Sequence, residues 1–220
     1  MKIRQHIPNF LTTLNLVSGL VSLTLAFEGR FALAAMCIFI AALFDFMDGN
    51  AARILKVKSE LGKQLDSLAD MVSFGVAPGI IIYEMLSIHC TGGCSVPEKT
   101  HILPYLAMLI PVCSALRLAK FNIDLRQEVN FIGMPTPAIA IFFASVPLVV
   151  YVQPVMFSLI HLDFMGRLFS NPRILSILVV FFSYMLISDF RIFSLKFKSL
   201  AWKNNQLRFI LLICAVILLL

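Results

Sequence analysis

Long apolar runs broken by short polar stretches organise this chain of 220 residues. They cover residues 11–27, 31–52, 66–88, 102–118, 137–160, 174–188 and 207–220. A helix needs roughly 20 mostly apolar residues to cross a bilayer, so the first six runs predict transmembrane helices. The seventh offers only fourteen residues, which leaves a tilted span, an interfacial helix or a shortened end. The prediction is an all-α, polytopic helical bundle forming one membrane domain over residues 1–220, since no Ser-rich or Pro-rich linker divides the chain. Composition agrees: 60% of the side chains are apolar, 14% are charged, and the mean hydropathy is +0.91. Soluble domains do not reach these values.

The net charge of +6 gains meaning from where it falls. With the N-terminus inside, fourteen basic residues sit on inner segments and four, Arg30, Lys99, Arg167 and Arg173, on outer ones. That asymmetry is the positive-inside pattern, and it assigns the charge to topology and anionic headgroups rather than to nucleic acid. The segment between the second and third runs then faces the cytoplasm. The first run has basic flanks but lacks a small-residue cleavage site and is followed at once by a second span, so it is read as retained. Cys37, Cys113 and Cys214 fall inside apolar runs as small fillers. Cys90 and Cys94 share a short outer loop, where a local disulfide or two free thiols are both open.

Four acids stand where acid is costly. Asp45 and Asp48 end the second run, and Asp66 and Asp70 begin the third; an aspartate near the centre of a membrane helix costs roughly 2.5 to 3.5 kcal/mol on insertion scales. At 100° per residue Asp45, Asp48, Gly49 and Ala52 share one helix face, as do Gly62, Asp66, Asp70, Ser73 and Ala77. A short connection lets the two faces oppose each other, giving a cup of four carboxylates. An all-oxygen set without His or Cys suits Mg²⁺ or Mn²⁺, and such ions are commonly shared with phosphate oxygens. Gly49, Ala52 and Gly62 leave room beside the acids, and Arg53 offers a planar donor fork for phosphate. Two other readings compete: an ion-coupled transporter with a proton or sodium pathway, and an ionic staple with Arg53, Lys56, Lys58 and Lys63. Transporters more usually show two similar halves, and no internal repeat is visible here.

The stretch from Asp45 to Arg53 followed by Gly62 to Asp70 resembles the signature of the CDP-alcohol phosphotransferase family, D-x-x-D-G-x-x-A-R, eight residues, then G-x-x-x-D-x-x-x-D. Each of its eight fixed positions is met within residues 45–70. The resemblance implies that Asp45, Asp48, Asp66 and Asp70 bind two divalent cations and that Asp70 also acts as general base. It further implies that Gly49, Arg53 and Ser59 contact the CDP part of a donor, with Gly62 giving it room. The opening around Asn9 and Thr12 is similar to the family segment near the nucleotide; a helix-starting Pro8 with Asn9 as cap is an equal structural reading. Three further segments, 74–79, 117–122 and 131–137, resemble the phosphatidylserine synthase branch. That implies transfer of a phosphatidyl group from CDP-diacylglycerol to L-serine, with release of CMP, at the cytoplasmic face of the inner membrane. Arg117 and Asn122 are then the residues expected at the serine, with interfacial snorkelling as the other reading of Arg117. Lys120 and Met134 depart from the family, which more often has Arg and Leu there. Another acceptor, glycerol 3-phosphate or inositol phosphate, stays open within the same chemistry, and the family suggests a homodimer.

Overall fold

The computed structural model describes residues 2–57, 59–91, 102–123, 133–152 and 160–188. Helices α1 (Lys2–Phe27), α2 (Phe31–Leu55), α3 (Glu60–Asp70), α4 (Ala77–Thr91), α5 (Leu109–Ile123), α6 (Thr136–Pro147), α7 (Ile160–Ser170) and α8 (Pro172–Ile187) follow in order, with no strand among the described residues. Four helical stretches are long and apolar enough to cross a membrane: His6–Phe27, Phe31–Leu55, Glu60–Ile88 and Pro104–Ile123. Thr136–Tyr151 and Pro172–Ile187 are shorter apolar helices. Each of the six expected spans is therefore helical over its described residues apart from 102, 103 and 188 at their ends, and the protein is an all-α integral membrane protein. Residues 207–220 lie outside the described part, as do Lys58 and Cys94.

Two turns fix the hairpin that carries the site. After α1, Gly29 takes a left-handed φ of 73°, its amide donates to the Ala26 carbonyl at 3.0 Å, and the Arg30 amide reaches the Leu25 carbonyl at 2.9 Å. This pairing satisfies the last carbonyls of the helix where glycine has no Cβ penalty. After α2 the same pairing recurs, Lys56 to Arg53 and Val57 to Ala52, with Lys56 at φ 52°. A lysine in that region carries a cost of roughly 1 to 2 kcal/mol. α3 then starts at once, because the Ser59 hydroxyl accepts the Gly62 amide at 2.9 Å as its N-cap.

That start corrects two expectations from sequence. The third helical stretch begins at Glu60, six residues before the apolar run at Asp66, since its first turns are amphipathic and hydropathy does not register them. α1 already runs from Lys2, so Pro8 lies inside a helix and Asn9 is not a cap.

Packing brings α1 alongside α2 and sets α3 with its following turn against α1. Small residues permit the approach, as usual between membrane helices: Ala34, Ala35 and Ala41 of α2 are fully buried, and the Ser22 hydroxyl donates to the Ala34 carbonyl at 2.8 Å. Between α3 and α4 the chain passes through a π-helical turn, Met71–Val76. There α1 comes so close that a methyl group at Gly19 would lie 2.8 Å from the Ser73 Cα. A core of Ile38, Phe74, Ile81, Ile82, Met85, Ile110, Phe143 and Val179 fills the bundle beyond this point.

Candidate active site

α2 and α3 deliver the acids from opposite sides. Carboxylate oxygens of Asp45, Asp48 and Asp66 lie within 4.8 Å of one another, and Asp48 is buried. Thr12 of α1 donates its hydroxyl proton to Asp48 Oδ2 at 2.6 Å. The Pro8 carbonyl, at 3.0 Å, is the longer alternative for that single proton, and the shorter bond to a carboxylate is the stronger. None of the four acids has a basic side chain within ion-pair distance among the described residues. The ionic-staple reading therefore has no support from Arg53, Lys56 or Lys63.

Asp70 lies outside this cluster of three, yet within electrostatic reach of each of them. Four residues of helix separate it from Asp66, a rise of about 6 Å, and its partner is Asn15 of α1, whose Nδ2 donates to Asp70 Oδ1 at 3.2 Å. The Asn15 main-chain carbonyl is in turn held by the Ser73 hydroxyl at 3.0 Å. The π-helical turn that begins immediately after Asp70 brings Ser73 to that carbonyl; such turns recur at functional sites. Sequence reading missed Asn15, because a lone amide in an apolar helix carries no spacing signal until the acid it meets is known.

Above the acids opens a cavity of about 540 Å³ lined by Pro8, Asn9, Thr12, Asp48, Gly49, Ala52, Val57, Ser59, Glu60, Gly62, Lys63 and Asp66. Seven of the expected site residues, Asn9, Thr12, Asp48, Gly49, Ser59, Gly62 and Asp66, thus share one wall. Gly49 gives openness: only an Arg53 nitrogen, at 3.9 Å, would meet a Cβ there. Gly62 acts differently, since an added Cβ would lie 2.7 Å from Ser59 Oγ and 2.9 Å from Asn9 Oδ1. It lets α1 and the α3 cap touch. Arg53 does not line the cavity; its Nε donates to its own helix at Gly49 O, 3.0 Å away, and its side chain is exposed.

The two expected acceptor residues separate. Arg117 on α5 is 9% exposed, so it does not snorkel. Its Nη1 lies 3.5 Å from Thr136 Oγ1, its Nε has no partner among the described residues, and it stands within electrostatic reach of Asp70. Asn122 instead donates its side-chain Nδ2 to Ser67 Oγ at 2.9 Å, while its main-chain carbonyl accepts from Lys63 Nζ at 3.5 Å. That pair of bonds fastens the end of α5 to α3.

The donor set fits a hard divalent cation: three clustered carboxylates, all oxygen, with no basic side chain at ion-pair distance among the described residues. Beside this geometry stand the comparisons with known proteins. The family model described as CDP-alcohol phosphatidyltransferase matches residues 5–219. The chain is 39% identical over 145 residues to a CDP-diacylglycerol–serine O-phosphatidyltransferase of Mycobacterium leprae, covering 62% of this chain and 45% of that protein. It is 35% identical over 136 residues to the protein of the same name from Bacillus subtilis, covering 60% and 70%. An archaetidylserine synthase of Methanothermobacter thermautotrophicus is 34% identical over 142 residues, covering 63% and 56%. The chain thus spans about half the length of the first and third of these relatives.

Proposed function

The chain belongs to the CDP-alcohol phosphatidyltransferase family, and from that premise we propose that it transfers the phosphatidyl group of CDP-diacylglycerol to L-serine, giving phosphatidylserine and CMP. The observation that carries this reading is the arrangement of acids: Asp45, Asp48 and Asp66 clustered, with Asp48 and Asp66 lining an open cavity, and Asp70 one turn further along α3 within electrostatic reach of a buried arginine. The names of the similar proteins support serine as acceptor.

In this reading the CDP moiety occupies the cavity between Asn9, Thr12, Gly49, Ser59 and Gly62, and Arg53 swings from its own helix onto the diphosphate. Asp45, Asp48 and Asp66, with Asp70 at the edge, would hold two divalent cations, Mg²⁺ or Mn²⁺. Bound there, such ions would supply neutralising charge to the diphosphate and to the attacking and leaving oxygens. Thr12 fixes the rotamer of Asp48. Asp70, with Oδ1 engaged by Asn15, takes the serine hydroxyl proton on Oδ2 as general base, and the freed oxygen attacks the β-phosphorus as CMP departs. Arg117 pairs with the serine carboxylate; a buried guanidinium with an unused N–H is suited to a planar carboxylate. Asn122 holds α5 against α3 so that Arg117 and Asp70 keep their separation. The distribution of basic residues supports a site on the cytoplasmic side of the inner membrane, and a homodimer is the assembly expected of the family.

The test is direct. Purified protein given CDP-diacylglycerol is offered serine, glycerol 3-phosphate or inositol phosphate, and CMP is measured. Serine-dependent release is the expected result; release with another acceptor alone reassigns the substrate, and ion flux in vesicles with no CMP formed overturns the enzyme reading.

A further inference from the structure

Asn15 is fully buried in α1, and its side chain is only half used. Nδ2 donates to Asp70 Oδ1 at 3.2 Å, while Oδ1 has no hydrogen-bond partner among the described residues. With Asp70 ionised, as a base must be, the amide cannot simply be turned round, because a carboxylate accepts and does not donate; Asp70 then fixes Nδ2 toward itself. The two amide heteroatoms are only about 2.3 Å apart by planar amide geometry, so the orphan oxygen lies close to the same carboxylate. A buried acceptor left without a donor is destabilising. Main-chain placement offers it no relief, since the Ser73 hydroxyl holds the Asn15 backbone where α1 and the π-helical turn meet at Gly19.

From this we infer that Asn15 reads the amine of the acceptor, which is a 1,2-amino alcohol held with its hydroxyl at Asp70 and its ammonium on Asn15 Oδ1. This rests on the reading above in which Asp70 takes a hydroxyl proton. In such an acceptor hydroxyl and amine sit on adjacent carbons, matching a base and an orphan oxygen joined through one amide. A second orphan, on a side chain within electrostatic reach of Asp70, has the opposite sense: Arg117 Nε, a donor. Serine presents a cation to the first and an anion to the second. Asn15 thereby has two tasks, one through each heteroatom: orienting the base and selecting for nitrogen.

The experiment separates the tasks with the full chain in detergent, CDP-diacylglycerol as donor, and two small molecules: L-serine, and 3-hydroxypropanoate, which lacks the amine, as competitive inhibitor or substrate. Asn15→Ala raises the KM for serine about 10- to 100-fold, the range of a hydrogen bond to a charged group, and lowers kcat, while the inhibition constant of 3-hydroxypropanoate barely moves. CMP binding, unchanged, reports that the fold and the cavity are intact. Asn15→Asp keeps an oxygen for the ammonium but loses the N–H held to Asp70, so kcat falls with serine KM near that of the wild type. Equal weakening of serine and 3-hydroxypropanoate in Asn15→Ala, or a serine KM raised as much by Asn15→Asp as by Asn15→Ala, overturns the assignment. Wild-type protein that makes no CMP with serine overturns the functional reading itself, a different failure.

Discussion

Two residues of α1, three positions apart, each hold one acid, and they do so in unlike surroundings. Thr12 bonds Asp48 at the floor of an open cavity, beside two other carboxylates within 4.8 Å. Asn15 bonds Asp70 one turn deeper, away from that cavity and near a buried guanidinium. The shallow region offers concentrated negative charge and space, which suits cations and a diphosphate. The deep region offers one carboxylate, one orphan acceptor and one orphan donor, which suits a small zwitterion and a proton transfer. One helix thus separates holding the donor from activating the acceptor.

The strongest challenge to this division is removal of divalent cations. Chelation is expected to abolish CMP release, with Mg²⁺ or Mn²⁺ restoring it; full turnover in excess chelator would leave the shallow acids without a purpose. Next comes Asp70→Asn, expected to lower kcat about 10²- to 10⁴-fold, the usual contribution of a general base, with CMP affinity kept. A matching loss of nucleotide affinity would merge the two regions into one. Thr12→Val should weaken apparent cation affinity about 10- to 100-fold, as loss of a bond that orients a ligand does, and leave the KM for serine alone. Ser59→Ala is the mildest, removing the α3 cap at a cost of about 1 kcal/mol, seen as a lower midpoint of thermal unfolding.

How much of this the sequence discloses depends on what spacing encodes. Fixed intervals at 45, 48, 66 and 70 place the acids on facing helix sides, and the structure brings three of them together. Spacing gives direction and rise but not partners, so the bond that holds Asp70 to Asn15 is invisible until α1 is docked. Hydropathy locates the six helical stretches yet misplaces the start of α3, because Ser59, Glu60 and Lys63 form a capped polar turn rather than an apolar one. Arg117 reads from sequence as equally fit for snorkelling or for a ligand; burial against Thr136 decides the first question. Asn122 has a free amide in the sequence and an occupied one in the fold. Nothing local predicts the contact of Gly19 with Ser73, which joins residues 54 positions apart and depends on a π-helical turn.

Thr12 reaches to α2 and Asn15 to α3, so α1 completes these bonds only once the third helical stretch is in place. A nascent chain threaded only as far as α2 has Asp45 and Asp48 but no Asp70, and Asn15 has nothing to hold. Competence for chemistry therefore waits on the docking of the third span against the first and then on α5, which brings Arg117, and a half-inserted intermediate is silent toward its substrates.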